Sequence, residues 1–298
     1  MTCDLSVVIA CHNESENLKW TVDSFMETLP RGSEIIVVDD HSTDGGAGFL
    51  DDGSDYPPEV RLLRPPARLG AAGARSFGAD HAHGKILVFS DAHVKIDPGW
   101  GEAILEGLSS PRVGAVCPVI SDLRQPERRG FGRTWQGDTL DWRWLPKESE
   151  EAYPVPLLPG CFLATRRDVV DRIGGFDSDF RVWGNEGAEL SLRLWLMGYE
   201  CHILPALEAS HLFRATRPYA VSWDSVLHNA MRTAVLHFSA ARVALMMSAM
   251  AGRSGFTEAF AQLMRGDAWR KREEFTMARV RDDEWFFDRF QIDCLRSA

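Results

Sequence analysis

The side chains of Asp91 and His93 are candidates for binding a divalent metal ion. Two positions apart on an extended backbone, an acidic side chain and an imidazole point to the same side. They directly follow residues 85–89, an apolar run that predicts a buried strand, and open α/β sheets bind ligands beyond the carboxyl ends of their strands. A carboxylate oxygen and an imidazole nitrogen suit a small divalent cation. The alternative is an ordinary turn, in which Asp91 caps the bend at residues 97–100.

Two further groups of residues could complete such a site. His211 follows a short strand predicted at residues 201–204 and could supply a third metal ligand, while Arg214 just beyond it could meet a phosphate. Arg75 lies in a Gly- and Ala-rich run, where small side chains let a ligand approach closely. Each group has a simpler alternative, because a lone histidine is more often an ordinary surface residue and a Gly/Ala-rich helix usually indicates tight packing.

A third group lies on a helix predicted at residues 186–196. Glu186, Glu189 and Arg193 are spaced so that they share one helix face. The simpler interpretation of this group is a capped amphipathic helix that carries an Arg–Glu pair.

The elements that must position these residues follow from the apolar pattern. Strands are predicted at residues 5–10, 35–38, 60–63 and 85–89, separated by a helix that begins at residues 13–16 with capping-box spacing and by a helix at residues 70–81. This alternation is typical of a mostly parallel, doubly wound nucleotide-binding half. Asp39 and Asp40 end the second strand, so a nucleotide's ribose or base is expected there and its metal-bound phosphates beside Asp91.

The second half of the chain is less regular. Strands are predicted at residues 113–120, 156–165 and 201–204, and helices at residues 98–108, 168–174 and 186–196. Residues 121–154 show no clear period and are expected to form a long functional loop, because their tryptophans argue against disorder. From residue 223 onward helices are expected, with a break at residues 252–255 and two further helices after it.

Composition narrows the functional class. With 33 Lys and Arg against 43 Asp and Glu, the net charge is −10, which argues against nucleic acid as a partner. The sequence shows no signal peptide and no apolar run long enough to span a membrane, so a cytoplasmic location is expected. The cysteines form no Cys-x-x-Cys pair, so neither a zinc site nor a disulfide framework is indicated.

Several motifs occur together in an order that resembles a known family. The chain resembles the GT-A glycosyltransferases of the family 2 type, and most closely the catalytic domain of polypeptide N-acetylgalactosaminyltransferases, since agreement of separate motifs is more specific than any single one. The motifs that carry the resemblance are VVIACHNE, VVDDHSTD, RLGAAGARSFGA, SDAH, GFDSDFRVWGNEGAELSLR and SHLFRATRPY, followed by Asn229 and Arg232 in an Asn-x-x-Arg context.

The resemblance implies a fold and a metal. The expected fold class is α/β, a Rossmann-like GT-A domain with a mostly parallel twisted sheet flanked by helices, at residues 1–222, followed by a helical C-terminal extension at residues 223–298. The extension is expected to cover the catalytic core rather than to form a dimer or acceptor surface, although a homodimer is possible. Asp91, His93 and His211 would hold Mn²⁺ or Mg²⁺.

The resemblance also implies a UDP-sugar as donor. The donor-binding positions would be Ala10, His12, Glu14, Asp39, Asp40, Gly70, Arg75, Ser90, Asp91, Arg214 and Tyr219. In this interpretation Asp39 and Asp40 contact the uridine, and a loop from Arg214 to Tyr219 closes over the phosphates. Catalysis would involve Trp183, Glu186 and Arg214, near the sugar and the leaving group.

The expected activity is therefore metal-dependent transfer of GalNAc, GlcNAc or a hexose from a UDP-sugar to a peptide, protein or small molecule. The chain departs from the family at Gly187, where an inverting family 2 enzyme has the aspartate that serves as base, so retention of the anomeric configuration is expected. The alternatives are an inverting family 2 enzyme of polysaccharide or natural-product biosynthesis, a nucleotide-sugar-binding protein without catalysis, and a nucleotidyltransferase, which the acidic CHNESEN segment disfavours.

Overall fold

The computed structural model describes residues 4–51, 56–214 and 222–295 of the chain. Its strands are β1 Leu5–Cys11, β2 Glu34–Asp39, β3 Val60–Leu63, β4 Ile86–Asp91, β5 Val94–Ile96, β6 Val113–Asp122, β7 Gln125–Gly130, β8 Arg133–Gln136, β9 Asp141–Trp144, β10 Tyr153–Pro154, β11 Phe162–Arg166 and β12 Glu200–His211. Its helices are α1 Glu16–Met26, α2 Gly70–His81, α3 Trp100–Gly107, α4 Arg167–Ile173, α5 Glu186–Leu196, α6 Trp223–His237, α7 Ala240–Met250, α8 Phe256–Arg265, α9 Ala268–Ala278 and α10 Asp283–Arg289.

A single large sheet forms the centre of the molecule. Its strand order is β10-β12-β6-β11-β4-β1-β2-β3, with β5 against β12 and β7 against β6. The pairs β1–β2, β1–β4, β2–β3 and β6–β12 are parallel, and β11 lies antiparallel between β4 and β6. The expected α/β architecture with a mostly parallel central sheet is confirmed.

The strand register brings the acidic residues of two strands to one edge of the sheet. Residues 34–39 are buried throughout, as expected for a parallel strand covered on both faces by helices. Cys11 of β1 pairs with Asp39 of β2, and Ala10 pairs with Asp91 of β4. The carboxyl ends of three neighbouring strands therefore meet where the sequence predicts the ligand site.

Helix α2 packs tightly against this parallel part of the sheet. A Cβ atom at Gly78 would lie 2.3 Å from Cγ1 of Val8, so only glycine fits there. The small residues of α2 thus serve close packing, the simpler of the two interpretations, although the helix also carries Arg75 into the site.

The predicted capping box at the start of α1 is wrong. Ser15 has φ 48° and no side-chain capping bond. Asn13 Oδ1 instead accepts a hydrogen bond from the Thr43 amide at 2.7 Å, and Asp44 Oδ2 accepts one from the Ser15 amide at 2.7 Å. The turn after β1 is therefore tied to the loop after β2, which holds two walls of the site together.

The expectation of a long irregular loop at residues 121–154 is also wrong, because this segment contains β7, the β8–β9 hairpin and β10. Strand β12 is longer than predicted. Pro205 marks the end of the apolar run, but the structure continues the strand to His211 through a register shift between Leu204 and Glu208. The strand predicted at residues 156–165 begins only at Phe162.

The C-terminal helices differ from the prediction in two respects. Helix α6 ends at His237 and α7 follows almost immediately, so the helical run breaks before residues 252–255. Three helices rather than two follow those residues in the part of the chain that the structure describes. Buried side chains of α6 bond to the sheet-containing part of the chain, and among the described residues no helix has the length and apolar character needed to cross a bilayer. The domain boundary at residues 222 and 223 stays a prediction.

Candidate active site

A cavity of about 260 Å³ opens at the carboxyl ends of β1 and β4, beside the end of β12. Most of the residues predicted for the site line it: Ala10, His12, Glu14, Asp40, Gly70, Arg75, Asp91, His93, Trp183, Glu186, His211 and Arg214. Residues separated by more than two hundred positions therefore converge on one space.

Asp91, His93 and His211 form a cluster with the geometry of a metal site. Their ligand atoms lie within 4.8 Å of one another. The two imidazoles approach the same carboxylate oxygen, with Nε2 of His211 at 3.5 Å and Nε2 of His93 at 3.9 Å from Asp91 Oδ2. One oxygen and two nitrogens on one side of a cavity fit a divalent cation such as Mn²⁺ that keeps open positions for a ligand.

The protonation states of this cluster also fit metal binding. Burial alone would raise the pKa of Asp91, but the hydrogen bond from His211 and the charge of Arg75 outweigh it and hold that pKa well below its usual range. Burial lowers the pKa of His211, against the opposing attraction of Asp91. An ionised carboxylate and a neutral imidazole are the forms that coordinate a cation.

The guanidinium of Arg75 joins the metal cluster to helix α5. It is buried and donates to Asp91 Oδ1 at 2.7 Å, to the carbonyl of Gly160 at 2.8 Å and to Glu186 Oε1 at 3.0 Å. Fixed by Gly160 and Glu186, Arg75 orients the carboxylate of Asp91 so that its other oxygen faces the histidines. Contact between Arg75 and the donor stays a prediction.

Glu14 sits between a metal-ligand candidate and the predicted phosphate-binding arginine. It is buried and forms an ion pair with Arg214. His93 Nδ1 lies 3.2 Å from Glu14 Oε2, without the geometry of a hydrogen bond. The side chain of Arg214 is thereby held at the cavity wall beside the metal cluster.

The acidic residues after β2 have different surroundings. Asp40 lines the cavity and accepts hydrogen bonds from the Leu69 and Gly70 amides at 2.6 and 2.9 Å, so it caps the start of α2. Asp39 accepts from the Ser42 amide at 2.9 Å and from Arg64. Within the described ranges Asp39 lies outside the cavity lining, so its uridine contact stays a prediction.

Two other predicted donor contacts also stay predictions. Ser90 is fully buried, and its hydroxyl donates to the Asp91 carbonyl at 2.9 Å. Tyr219, expected to close over the phosphates, lies outside the residues that the structure describes.

The segment that carries Trp183 has an unusual backbone held by a residue of α6. Val182 has φ 46° and Asn185 has φ 65°, conformations that cost energy for residues with side chains. The buried amide of Asn229 accepts a hydrogen bond from the Arg181 amide at 2.8 Å and donates to the Gly184 carbonyl at 2.9 Å. In the sequence, only the family resemblance pointed to Asn229, although an asparagine on an apolar helix face by itself indicates a buried polar contact.

The first turn of α5 separates its two glutamates. Glu186 faces the cavity, where its second oxygen accepts a hydrogen bond from the Gly184 amide at 2.8 Å. Glu189 is buried away from the cavity and pairs with Arg193 at 2.7 Å, which is the simpler interpretation of their spacing.

Residue 187 leaves no room for a side chain. A Cβ atom there would lie 2.7 Å from Cα and 3.1 Å from the amide nitrogen of Gly160. Backbone contact between two glycines therefore occupies the space from which an aspartate or asparagine would reach the cavity.

The cavity has a further wall that sequence reasoning did not assign. Arg133 and Trp142 line it from the β8–β9 hairpin. The sequence predicted a functional loop at residues 121–154 without naming its residues. Arg133 and Trp142 come together only because of the β8–β9 hairpin, which was not predicted.

Comparison with protein families identifies two matching regions. Residues 6–174 match the family described as Glycosyl transferase family 2, and residues 147–216 match the family described as N-terminal domain of galactosyltransferase. The first match covers more than half of the chain and includes Asp91, His93 and Arg75.

Curated proteins similar to the chain include human polypeptide N-acetylgalactosaminyltransferase 15, at 34% identity over 248 residues, or 77% of this chain and 39% of that protein. Polypeptide N-acetylgalactosaminyltransferase 3 of Drosophila melanogaster is 31% identical over 240 residues, or 72% of this chain and 35% of that protein. The chain thus spans well under half the length of these curated relatives.

Solved structures share the fold. The crystal structure of GalNAc-T7 with UDP, GalNAc and Mn²⁺ superposes with a TM-score of 0.77 at 22% identity, covering 97% of this chain and 56% of that one. The mannosyltransferase PcManGT from Pyrobaculum calidifontis, in complex with GDP-Man and Mn²⁺, gives 0.58 at 20% identity, covering 92% and 83%.

Proposed function

The chain belongs to glycosyl transferase family 2, and on that premise we propose that it is a metal-dependent glycosyltransferase that moves a sugar from a UDP-sugar to a hydroxyl of a peptide, protein or small molecule. The observation that carries the proposal is the convergence of Asp91, His93 and His211 in one cavity. A bound Mn²⁺ or Mg²⁺ would supply positive charge for the donor diphosphate as UDP departs.

The names of similar proteins support the donor. The curated relatives are polypeptide N-acetylgalactosaminyltransferases, and the solved structures of similar fold carry UDP with GalNAc or GDP-Man, each with Mn²⁺. A nucleotide diphosphate donor is therefore proposed here, with a UDP-sugar preferred because the curated relatives are named for N-acetylgalactosamine transfer.

Residues of the chain have distinct roles in this proposal. Arg214, held by Glu14 at the cavity wall, is placed to turn its guanidinium toward the diphosphate. Arg75 holds Asp91 and Glu186 in fixed orientation. Trp183 and Glu186 shape the space near the sugar, on a backbone segment that Asn229 fixes.

Retention is the stereochemical outcome that the site supports. An inverting transferase needs a carboxylate that deprotonates the acceptor from the face opposite the leaving group. No side chain fits at Gly187, and Glu189 is turned away into an ion pair with Arg193. A same-face reaction needs no such base, because the departing phosphate oxygen can accept the proton of the acceptor hydroxyl.

The activity is tested by UDP release from UDP-GalNAc, UDP-GlcNAc and UDP-hexoses with Mn²⁺, in the presence of peptide and small hydroxyl acceptors. We expect UDP release that stops with excess chelator and returns with Mn²⁺. UDP-sugar binding without turnover of any donor would contradict the proposal and favour a nucleotide-sugar-binding protein.

The stereochemistry is tested separately by proton NMR of the product. We expect an α-linked sugar, with the small anomeric coupling of an axial glycosidic bond. A large axial–axial coupling in a gluco- or galacto-configured product would establish inversion and contradict retention alone.

A further inference from the structure

The guanidinium of Arg133 lies against two tryptophan rings at the cavity wall. Its Cζ lies 3.8 Å from the ring centroid of Trp142 and 4.2 Å from that of Trp144. The hairpin register sets this arrangement, because Arg133 of β8 pairs directly with Trp144 of β9. The backbone of Arg133 also exchanges hydrogen bonds of 2.8 and 3.2 Å with Leu157, so β9 and the segment at Leu157 both fix the position of this residue.

This cation has no carboxylate partner within residues 4–51, 56–214 and 222–295. Its Nε is buried without a hydrogen-bond partner. By contrast, the guanidinium of Arg75, on the same cavity, bonds to two carboxylates. Burial lowers the pKa of Arg133, and the attraction of Asp91 and Glu186, with which it forms no ion pair, opposes this only in part. Such a cation gains most from an anion that enters with a ligand.

The position of Arg133 separates it from the nucleoside side of the site. Leu157, its backbone partner, leads into β11, which lies on the opposite side of β4 from β1 and β2. The predicted nucleoside residue Asp40 follows β2. The metal cluster at the end of β4 therefore lies between the nucleoside wall and the Arg133 wall.

The arrangement of the rings leaves part of the Arg133 guanidinium accessible. The rings of Trp142 and Trp144 meet at 79° with their centroids 5.6 Å apart, so they cover neighbouring sides of the guanidinium rather than its two opposite faces. Arg133 lines the cavity, and its planar fork of N–H groups matches the two oxygens of a carboxylate.

We propose that Arg133 binds a carboxylate of the acceptor, so that the preferred acceptors carry a carboxylate close to the hydroxyl that receives the sugar. This inference rests on the proposed glycosyltransferase function. The carboxylate can belong to an acidic residue of a peptide or to a small hydroxy acid.

The test compares acceptors that differ only in charge. Serine and threonine peptides with Glu or Gln at each position around the hydroxyl form one arm, and small hydroxy acids with their primary amides form the other. With the full chain and Mn²⁺, we expect kcat/KM roughly tenfold or more higher for the charged member of the productive pair, as for a hydrogen bond between charged groups. The arm in which the preference appears shows whether the carboxylate belongs to a peptide or to a small hydroxy acid.

Two variants assign the preference to one side chain. Arg133→Gln should bring the charged-to-neutral ratio close to one, and Arg133→Lys should restore part of it. The matched control is Arg143→Gln, since Arg143 lies exposed on β9 between the two tryptophans and points away from the cavity side of the hairpin. This control should keep the full ratio.

Results against this inference can be told apart from results against the proposed function. Equal use of charged and neutral acceptors by the unmodified chain would overturn this inference and leave the proposed function intact, and that comparison needs no variant to fold. A charged-to-neutral acceptor ratio that stays high in Arg133→Gln would also overturn it. So would a preference for a uronic-acid donor that disappears in Arg133→Gln, since Arg133 would then bind the donor. Absence of UDP release with every donor and acceptor would overturn the proposed function and this inference together.

Discussion

The carboxylate of Glu189 on α5 accepts a hydrogen bond of 2.7 Å from Nε2 of His237 on α6, while its other oxygen binds Arg193 at 2.7 Å. Burial alone would raise the pKa of Glu189, but Arg193 and His237 outweigh it and lower the pKa to about 2. Burial lowers the pKa of His237, against the opposing attraction of Glu189, so a neutral imidazole donates the Nε2 hydrogen bond to the carboxylate. Arg193 supplies the charge that makes this buried group stable.

Substitution of Glu189 tests this network. Glu189→Gln leaves Arg193 buried without a counter-ion, so we expect the free energy of unfolding to fall by about 3–5 kcal/mol. Glu274→Gln is the matched control, because Glu274 forms an exposed ion pair with Arg270 at the same helical spacing and should cost less than about 1 kcal/mol. Denaturant unfolding of both variants decides the matter, and equal losses would show that the buried network contributes nothing special.

His211, the candidate metal ligand that lies farthest along the chain from the other two, provides a test of the metal site. His211→Ala should weaken Mn²⁺ binding by at least about 100-fold, since even residues that only support a ligand contribute 10–100-fold. His202→Ala is the control, because His202 lies on the same strand and bonds to Glu200 outside the cavity. Calorimetric titration with Mn²⁺ and UDP gives the affinities. Unchanged Mn²⁺ affinity in His211→Ala would remove His211 from the metal site.

The space at residue 187 gives a structural prediction. Gly187→Asp should not create a catalytic base, because its Cβ would collide with the backbone of Gly160, and we expect loss of UDP release together with a stability loss of about 1–3 kcal/mol. Gly252→Ala is a suitable control, since a Cβ atom there meets nothing within 4 Å. A stable Gly187→Asp enzyme that yields a β-linked product would show that the Gly160 segment can move aside.

Asn229 gives a prediction about positioning. Asn229→Ala should reduce kcat/KM for transfer by roughly tenfold or more and leave Mn²⁺ affinity unchanged, because it frees the backbone around Gly184 without touching the metal cluster. Thr233→Ala, on the same helix, removes only a hydrogen bond to the Asn229 carbonyl at 2.9 Å and should keep transfer activity. A parallel loss of metal affinity in Asn229→Ala would indicate general loosening of the fold instead.

The sequence predicts well those parts of the fold that depend on local pattern. The bounds of β3, α2 and α5 agree with the predicted ones. Asp91 and His93 do converge, but the expectation that one extended strand carries both is wrong, because β4 ends at Asp91 and His93 lies in the turn that leads into β5. Strand β12 was predicted too short because Pro205 resembles a stop signal, whereas its continuation depends on pairing with β5 and β6, which lie far away in sequence.

The parts of the site that could not be predicted depend on distant contacts. The side chains of β9 are mostly exposed, so the hairpin has no apolar period that would reveal it. The contact of Arg133 with the rings of Trp142 and Trp144 follows from cross-strand register rather than from sequence spacing. The lack of space at Gly187 likewise results from the backbone of residue 160, which no local pattern at residue 187 discloses.

The hydrogen bond from Asn229 to Gly184 also has a consequence for biosynthesis. The two residues are separated by 45 positions, so the ribosome makes the backbone around Trp183 well before the side chain that holds it. At roughly 5–20 residues per second this interval lasts on the order of seconds. A nascent chain therefore carries the metal-binding residues before the sugar-facing segment is fixed, and competence for transfer arises only after α6 has been translated.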